Sequence, residues 1–303
     1  MRELIIVGGA TATGKSELAC CLAKLVGGEI ISADSMAIYR DMDIGTAKPL
    51  DCMREVRHHL IDVVDPGYIF DAKMFEERAM EVIDSLKSKG IVPIVAGGTY
   101  LYIQALLFGI DRTPEPNWSL RRKLYSLAER RGKSFLYERL RVIDPCYASK
   151  IHRNDLRRVV RALEVFIETG RAFSSFHRWN LPRYDYMGVH VIRDYESLSE
   201  RIEKRVQLMI EKGLLEEVKS LVEKGFESFL TSSQAIGYKE LVEYLKGDIS
   251  LEEAIRLIIK HTKDYAKRQM RWFRKQGWIE VNLDKEDTEY ACGRLAKHFL
   301  QAR

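Results

Sequence analysis

The chain contains no apolar run approaching the roughly 20 residues that a membrane span requires. Its first residues pass straight into a strand-like segment, without a charged and cleavable leader. Both absences predict a cytoplasmic protein with no membrane attachment. Cysteine is sparse: five residues, at 20, 21, 52, 146 and 292, with no C-x-x-C pair and an odd total. Neither a zinc finger nor a disulfide framework is indicated by that spacing, and reduced thiols in the core or at the surface are expected. There is no internal repeat and no low-complexity segment. What is present is 303 residues with 46% hydrophobic content, enough for the buried core of one large or two modest globular domains.

Charge is unevenly placed. Between Trp118 and Arg183 there are 16 Lys and Arg against 6 Asp and Glu, while the remainder has 33 against 38. A solvated face normally mixes signs, so basicity concentrated in one segment points to a polyanionic partner such as nucleic acid.

The stretch with the most chemical information is Gly9-Ala10-Thr11-Ala12-Thr13-Gly14-Lys15-Ser16. It follows the apolar run Leu4 to Val7 and leads into a helical pattern from Glu17 to Leu25, which reads as strand, phosphate-binding loop and helix. Glycines at both ends let backbone N–H groups converge on an oxyanion at the helix N-terminus. Lys15 adds a full charge, and Ser16 is placed to hold a divalent cation, Mg²⁺ in the usual case, between two phosphates. The segment is therefore a receptor for a di- or triphosphate.

Downstream, Glu29 to Ala33 has strand character and delivers Asp34-Ser35 to its carboxyl end, where open α/β sheets place ligands. Asp34 could equally serve as a turn or capping residue. Met42 to Pro49 reads as a loop beside the site, with Thr46 and Lys48 as candidate phosphate or substrate contacts. His58-His59 sits on a short strand, where neighbours face opposite ways, so a structural role is expected rather than a metal site. A third strand, Ile91 to Ala96, ends in Gly97-Gly98-Thr99, where a P-loop ATPase would usually present a magnesium-organising Asp. Thr113-Pro114-Glu115-Pro116-Asn117 is a stiff connector and the best candidate boundary. The basic segment beyond it has helical spacing, with Arg157 and Arg161 sharing one face beside Arg158. Phe173, Phe176, His177 and Trp179 could stack bases or pack a small core. Gly188 to Ile192 looks like a return to the central sheet. The expected organisation is an α/β core of residues 1–113 and 188–303 with a basic helical domain, 114–187, inserted in it. Near the end, Ser250-Leu251-Glu252-Glu253 opens a long helix whose Lys260, Lys263, Lys267, Arg268, Arg271 and Arg274 form a second basic stripe.

The loop Gly9 to Ser16, the run Ile31-Ser32-Ala33-Asp34-Ser35, and Met42 to Pro49 closely resemble tRNA dimethylallyltransferases. So do Gly97-Gly98-Thr99, Arg157-Arg158 through Val165, Gln234-Ala235-Ile236-Gly237-Tyr238 and Tyr265-Ala266-Lys267-Arg268-Gln269. The resemblance spans almost the whole chain. It implies an α/β fold with a P-loop NTPase-like parallel sheet flanked by helices, and an inserted all-helical domain that binds tRNA. The implied activity is transfer of a dimethylallyl group from dimethylallyl diphosphate to N6 of the adenosine beside the tRNA anticodon, by a monomer using Mg²⁺. On that resemblance Asp34 is the general base, Thr99 orients reacting groups, and Gly9, Ala10, Thr11, Ala12, Thr13, Gly14, Lys15, Ser16 and Arg201 hold the diphosphate, with Arg205 a rival to Arg201. Asp34, Ser35, Met36, Ala37, Thr99, Arg121, Arg157, Arg158 and Arg161 fall at positions that face tRNA. The chain departs from many members in having Ala10 rather than Pro after the first loop glycine, and Met36-Ala37 where many carry Gln. It also lacks the C-terminal zinc finger of eukaryotic members, so a bacterial-type enzyme is implied. The phosphate loop alone would suit a nucleotide or metabolite kinase, or an RNA-binding protein with a nucleotide switch.

Overall fold

A computed structural model describes residues 2–110, 113–176 and 181–302. The chain divides into two compact units, Met1–Leu107 with Arg183–Arg303, and Phe108–Pro182. His177 and Trp179, considered above as base-stacking candidates, lie outside the described residues.

The first unit is built on a six-stranded sheet in the order β3-β2-β4-β1-β5-β6. Its strands are β1 (Leu4–Gly9), β2 (Gly28–Ser32), β3 (His58–His59), β4 (Val92–Gly97), β5 (Tyr186–Ile192) and β6 (Ile279–Asn282), and every pairing is parallel. Parallel strands need crossovers, and the helical patterns supply them: α1 (Lys15–Val26), α2 (Leu50–Glu55), α3 (Ala72–Ser88) and α4 (Tyr100–Phe108). All six residues of β1 are buried, as expected for a central strand covered on both faces. The chain runs from β1 outward to β2 and then returns, so β1 lies between β4 and β5 with its carboxyl end at the crevice where such sheets bind ligands. The α/β class and P-loop-like arrangement expected from the sequence are borne out.

One sheet face packs on α1 and on α13 (Thr288–Ala302), joining Ile5, Val7, Leu18 and Leu22 to Val189, Val191, Leu295 and Phe299 in one core. The opposite face accepts bulky rings because two strand positions carry no side chain. A Cβ on Gly8 would lie 2.2 Å from the Phe273 ring, and one on Gly188 would lie 2.5 Å from Trp278. The Phe273 ring brings the end of a long helix against the sheet.

The cysteines depart from expectation. Cys20 on α1 is joined to Cys52 on α2, and the adjacent Cys21 to Cys292 on α13, with Cα separations of 6.1 and 6.2 Å, while Cys146 is free. Positions 32 and 271 residues apart in sequence become neighbours only once the crossovers have formed, so spacing alone did not reveal the pairs.

After β5 the unit continues with α9 (Tyr195–Glu211), α10 (Leu214–Glu223), α11 (Tyr238–Leu245) and α12 (Leu251–Phe273). The Ser250 hydroxyl accepts from the Glu253 N–H at 3.2 Å and caps α12, as its sequence predicts.

The second unit is helical: α5 (Trp118–Arg131), α6 (Lys133–Ile143), α7 (Pro145–Ala148) and α8 (Leu156–Thr169). Its core holds Leu124, Leu136, Leu140, Val159, Val160 and Leu163. Phe176 is 4% exposed, so this ring packs inward. Phe173 meets Tyr147 edge to face at 4.7 Å.

Candidate functional site

The carboxyl ends of β1, β2 and β4, together with α9, α11 and α12, enclose a cavity of about 940 Å³ whose lining includes Thr11, Lys15, Ser16, Asp34, Arg201 and Arg205. It is large enough for a ligand with several functional parts.

The phosphate loop forms its floor. Gly14 has φ +97° and Ala12 +64°, left-handed conformations that turn the chain abruptly from β1 into α1. A Cβ at Gly9 would sit 2.5 Å from the Val191 carbonyl oxygen, so glycine there allows β5 to pass close by. The buried Thr13 hydroxyl donates to the Ala10 carbonyl at 2.9 Å and Lys15 Nζ reaches the same oxygen at 3.3 Å. Ala10 thus serves through its backbone, where the ring of a proline is not needed. Three residues from far along the chain grip the loop from outside. Arg193 Nε donates to Thr13 O at 3.0 Å, Arg201 Nε donates to Ala12 O at 2.9 Å, and Gln269 Oε1 accepts from Thr11 N at 2.9 Å.

The cavity is electropositive at one end. Burial lowers Lys15 to about 8, and repulsion from Arg205 adds to the shift, while Asp34 and Glu17 oppose it. Arg205 is also lowered, by burial first, with Asp34 and Glu17 again opposing. Lys15, Arg201 and Arg205 therefore line one cavity with three positive charges against the two carboxylates, Asp34 and Glu17, that act on them. Such an arrangement suits a polyphosphate. Arg201 and Arg205, alternatives from the sequence, both line the cavity.

Asp34 is a turn residue that also lines the cavity. Its Oδ1 accepts from the N–H groups of Met36 at 2.9 Å and Ala37 at 3.3 Å, which folds the following turn. Among the described residues Oδ2 has no hydrogen-bond partner, and the residue lines the cavity. Thr99 Oγ1 accepts from Ser35 N at 3.0 Å, which couples the turn after β4 to the turn after β2. A Cβ at Gly97 would lie 2.1 Å from Ala33 O, so the close approach that this glycine permits is between two backbones. Ser35, Met36 and Ala37 line the cavity alongside Asp34.

Lys48 lines the cavity, and its ammonium donates to Tyr39 O at 2.8 Å, to Asp43 Oδ1 at 2.5 Å and to Asp62, so its three donors are engaged by protein acceptors. The Thr46 hydroxyl likewise donates to Met42 O at 2.5 Å. Glu217, to which no sequence signal pointed, holds this loop by accepting from the N–H groups of Asp43, Ile44 and Gly45 and from the Tyr238 hydroxyl at 2.6 Å. His58 Nδ1 meets Val56 O at 2.8 Å and His59 Nε2 meets Glu29 at 2.6 Å, which is a structural use. Among the described residues no group of three or more His, Cys, Asp and Glu could hold a metal.

In the helical unit the four candidate tRNA-facing arginines, Arg121, Arg157, Arg158 and Arg161, separate into pairs. Arg121 makes a bidentate pair with the buried Glu164, both bonds at 2.9 Å, and Arg161 joins the same carboxylate and donates to Thr113 Oγ1 at 2.8 Å and Pro114 O at 2.7 Å. Burial alone would raise Glu164, but these arginines and the Asn117 N–H hold it below the usual carboxylate value. Arg157 and Arg158 are exposed, Arg158 with a loose 3.4 Å pair to Asp155.

A family model described as IPP transferase matches residues 37–276. The chain is 62% identical over 300 residues to a tRNA dimethylallyltransferase of Aquifex aeolicus (strain VF5), covering 99% of this chain and 98% of that one. It is 53% identical over 301 residues to a tRNA dimethylallyltransferase of Hydrogenobaculum sp., with 99% and 98% covered. Among solved structures, a tRNA isopentenylpyrophosphate transferase from Bacillus halodurans superposes with a TM-score of 0.73 at 35% identity, covering 99% of this chain and 96% of that chain. A eukaryotic dimethylallyltransferase described as acting on tRNA superposes with a TM-score of 0.80 at 30% identity, covering 100% and 80%.

The lowered Lys15 makes anion binding pH-dependent. An entering polyphosphate favours the charged ammonium and raises its value above about 8, so binding takes up a proton. Affinity for inorganic diphosphate in EDTA is expected to be highest below pH 8 and to fall as pH rises above it. Calorimetry in buffers of different ionisation enthalpy checks this, with proton uptake lost in Lys15→Met.

Proposed function

The chain belongs to the IPP transferase family, and from that membership we propose that it transfers a dimethylallyl group from dimethylallyl diphosphate to N6 of the adenosine 3′ to a tRNA anticodon. The observation that carries the reading is the pairing, in one cavity, of a polyphosphate cradle with a half-free carboxylate at Asp34. A kinase would use the cradle to place a terminal phosphoryl group for attack. Here the cradle would stabilise diphosphate as it departs.

In the proposed reaction the allylic C1–O bond breaks as N6 bonds to C1. The electron pair of the broken bond leaves with diphosphate. Donors and cations aimed at that charge, from the loop N–H groups, Lys15, Arg201 and Arg205, lower the barrier because they are already oriented. An exocyclic adenine amine is a weak nucleophile, its lone pair being delocalised into the ring, so Asp34 Oδ2 would orient N6 and accept its proton. The Thr99 hydroxyl would orient the reacting groups. Ser16, at the first turn of α1, would hold Mg²⁺ together with diphosphate oxygens and water. One protein hydroxyl plus phosphate oxygens suits a cation that keeps much of its hydration, and it fits the lack of any carboxylate cage among the described residues. When bound, Mg²⁺ supplies charge neutralisation between the phosphates.

The adenosine must leave the anticodon-loop stack to enter the cavity, which requires a surface that holds the loop's phosphates. The helical unit fits that task, with Arg157 and Arg158 as the phosphate contacts, while Arg121 and Arg161 hold its fold through Glu164. Ser35, Met36 and Ala37 would border the flipped base. Among the described residues no helix is long and apolar enough to cross a membrane. The proposal includes a cytoplasmic site of action, because tRNA is the partner.

Incubation of the protein with Mg²⁺, unmodified tRNA and dimethylallyl diphosphate, followed by nucleoside mass spectrometry, is expected to yield an isopentenyl-type adenosine without ATP. Asp34→Asn retains the Oδ1 acceptor and should cost about 10²- to 10⁴-fold in turnover with tRNA affinity little changed. Turnover near that of the unaltered protein would refute the base assignment. Replacing Arg157 and Arg158 by Ala together should reduce the salt dependence of tRNA binding by about 1.5 in the log–log slope. An unchanged slope would place the tRNA surface elsewhere.

A further inference from the structure

We infer that Gln269 is a positioning residue whose buried carboxamide fastens the phosphate loop to the turn bearing Thr99, so that the anion cradle and the reacting groups share one fixed geometry. This inference rests on the prenyl-transfer reading. Gln269 is 2% exposed and lies one turn after Tyr265 on α12. Its Oε1 accepts from Thr11 N at 2.9 Å and its Nε2 donates to Gly98 O at 2.9 Å. A Cβ at Gly98 would lie 2.2 Å from Nε2, so the second glycine of Gly97-Gly98-Thr99 is what admits the amide.

The connection continues in both directions. Thr99 N donates to Ala33 O at 3.1 Å, and Thr99 Oγ1 accepts from Ser35 N at 3.0 Å, on either side of Asp34. The Tyr265 hydroxyl, kept neutral by burial and then by the nearby Asp34 charge, interacts with the Thr99 side chain. Residues 265 and 269 are an i, i+4 pair on one helical face, so a single turn of α12 touches the Thr99 turn at two points. A carboxamide that merely filled space in α12 would not need an acceptor aimed at one loop and a donor aimed at another. The donor and acceptor ends are not interchangeable: turning the amide over would set Nε2 against the Thr11 N–H and Oε1 against the Gly98 carbonyl. The Thr11 N–H is also committed to Gln269 rather than to a ligand, which leaves anion binding to the later loop N–H groups.

The two ends can be separated by substitution, because Gln269→Glu keeps the acceptor for Thr11 and loses the donor to Gly98, whereas Gln269→Met loses both. Steady-state kinetics of both variants and of the unaltered protein, with melting curves, are the test. For Gln269→Glu the expected result is a kcat lower by about 100-fold, as for a reacting group displaced by about 1 Å, with KM for dimethylallyl diphosphate within about threefold. Gln269→Met should show the same loss of kcat together with a raised KM for dimethylallyl diphosphate. An unchanged kcat in either variant, or an equal KM increase in both, would overturn the inference. If the Met variant does not fold, the Glu variant alone decides on its kcat. Absence of prenyl transfer by the unaltered protein would defeat the proposed function instead, which keeps the two failures apart.

Discussion

A loop that must point its N–H groups at an anion cannot use them to hold itself, and the rest of this structure answers that constraint. The turn from β1 into α1 passes through left-handed backbone at Ala12 and Gly14 and has few bonds of its own. Its shape comes from Arg193, Arg201 and Gln269, which lie 180, 189 and 258 residues away from their partners in the chain. Arg193 in turn pairs with Asp284 and donates to Leu283 O at 2.9 Å, which ties the cradle to the end of β6. The carboxyl half of the first unit therefore serves as the scaffold for eight residues near the amino end.

The same constraint shapes the electrostatics. Lys15 and Arg205 are gathered beside Arg201 where burial disfavours the charge of the first two, and Lys15 records that cost in its lowered value of about 8. An anion with several negative oxygens relieves the repulsion, and it does so most when its charge is fully developed, as on a leaving diphosphate. Asp34 offsets part of the repulsion while one of its oxygens is spent on the turn that follows it. In the helical unit the buried Glu164 solves a similar problem with opposite sign, drawing Arg121 and Arg161 inward and leaving Arg157 and Arg158 to the solvent.

Much of this was legible in the sequence because its signals are local. The strand, the glycine-bounded loop and the helix of residues 4–26 lie within one continuous segment, and the strand periodicities of β2 and β4 placed Asp34 and Thr99 at the same edge of the sheet. What was illegible depends on residues that meet only after folding. Gln269 and Glu217 are ordinary polar residues on helices until the backbone partners of each, more than 170 residues away, are in place. The three acceptors of Lys48 were illegible because they come from loop positions that no periodicity relates. Cys20 and Cys21 read as thiols for the same reason. The Tyr265 to Gln269 spacing was a usable signal: two polar side chains one turn apart on α12.

The direct test of a cradle built for a leaving group is the fate of the bridging oxygen. Dimethylallyl diphosphate carrying ¹⁸O between C1 and the first phosphorus would be turned over with tRNA, and both products analysed by mass spectrometry. Cleavage of the C1–O bond sends the label into diphosphate and leaves the modified adenosine unlabelled. Label retained on the allylic carbon, or phosphate transferred to the tRNA, would mean that a P–O bond breaks and that the cradle serves phosphoryl transfer.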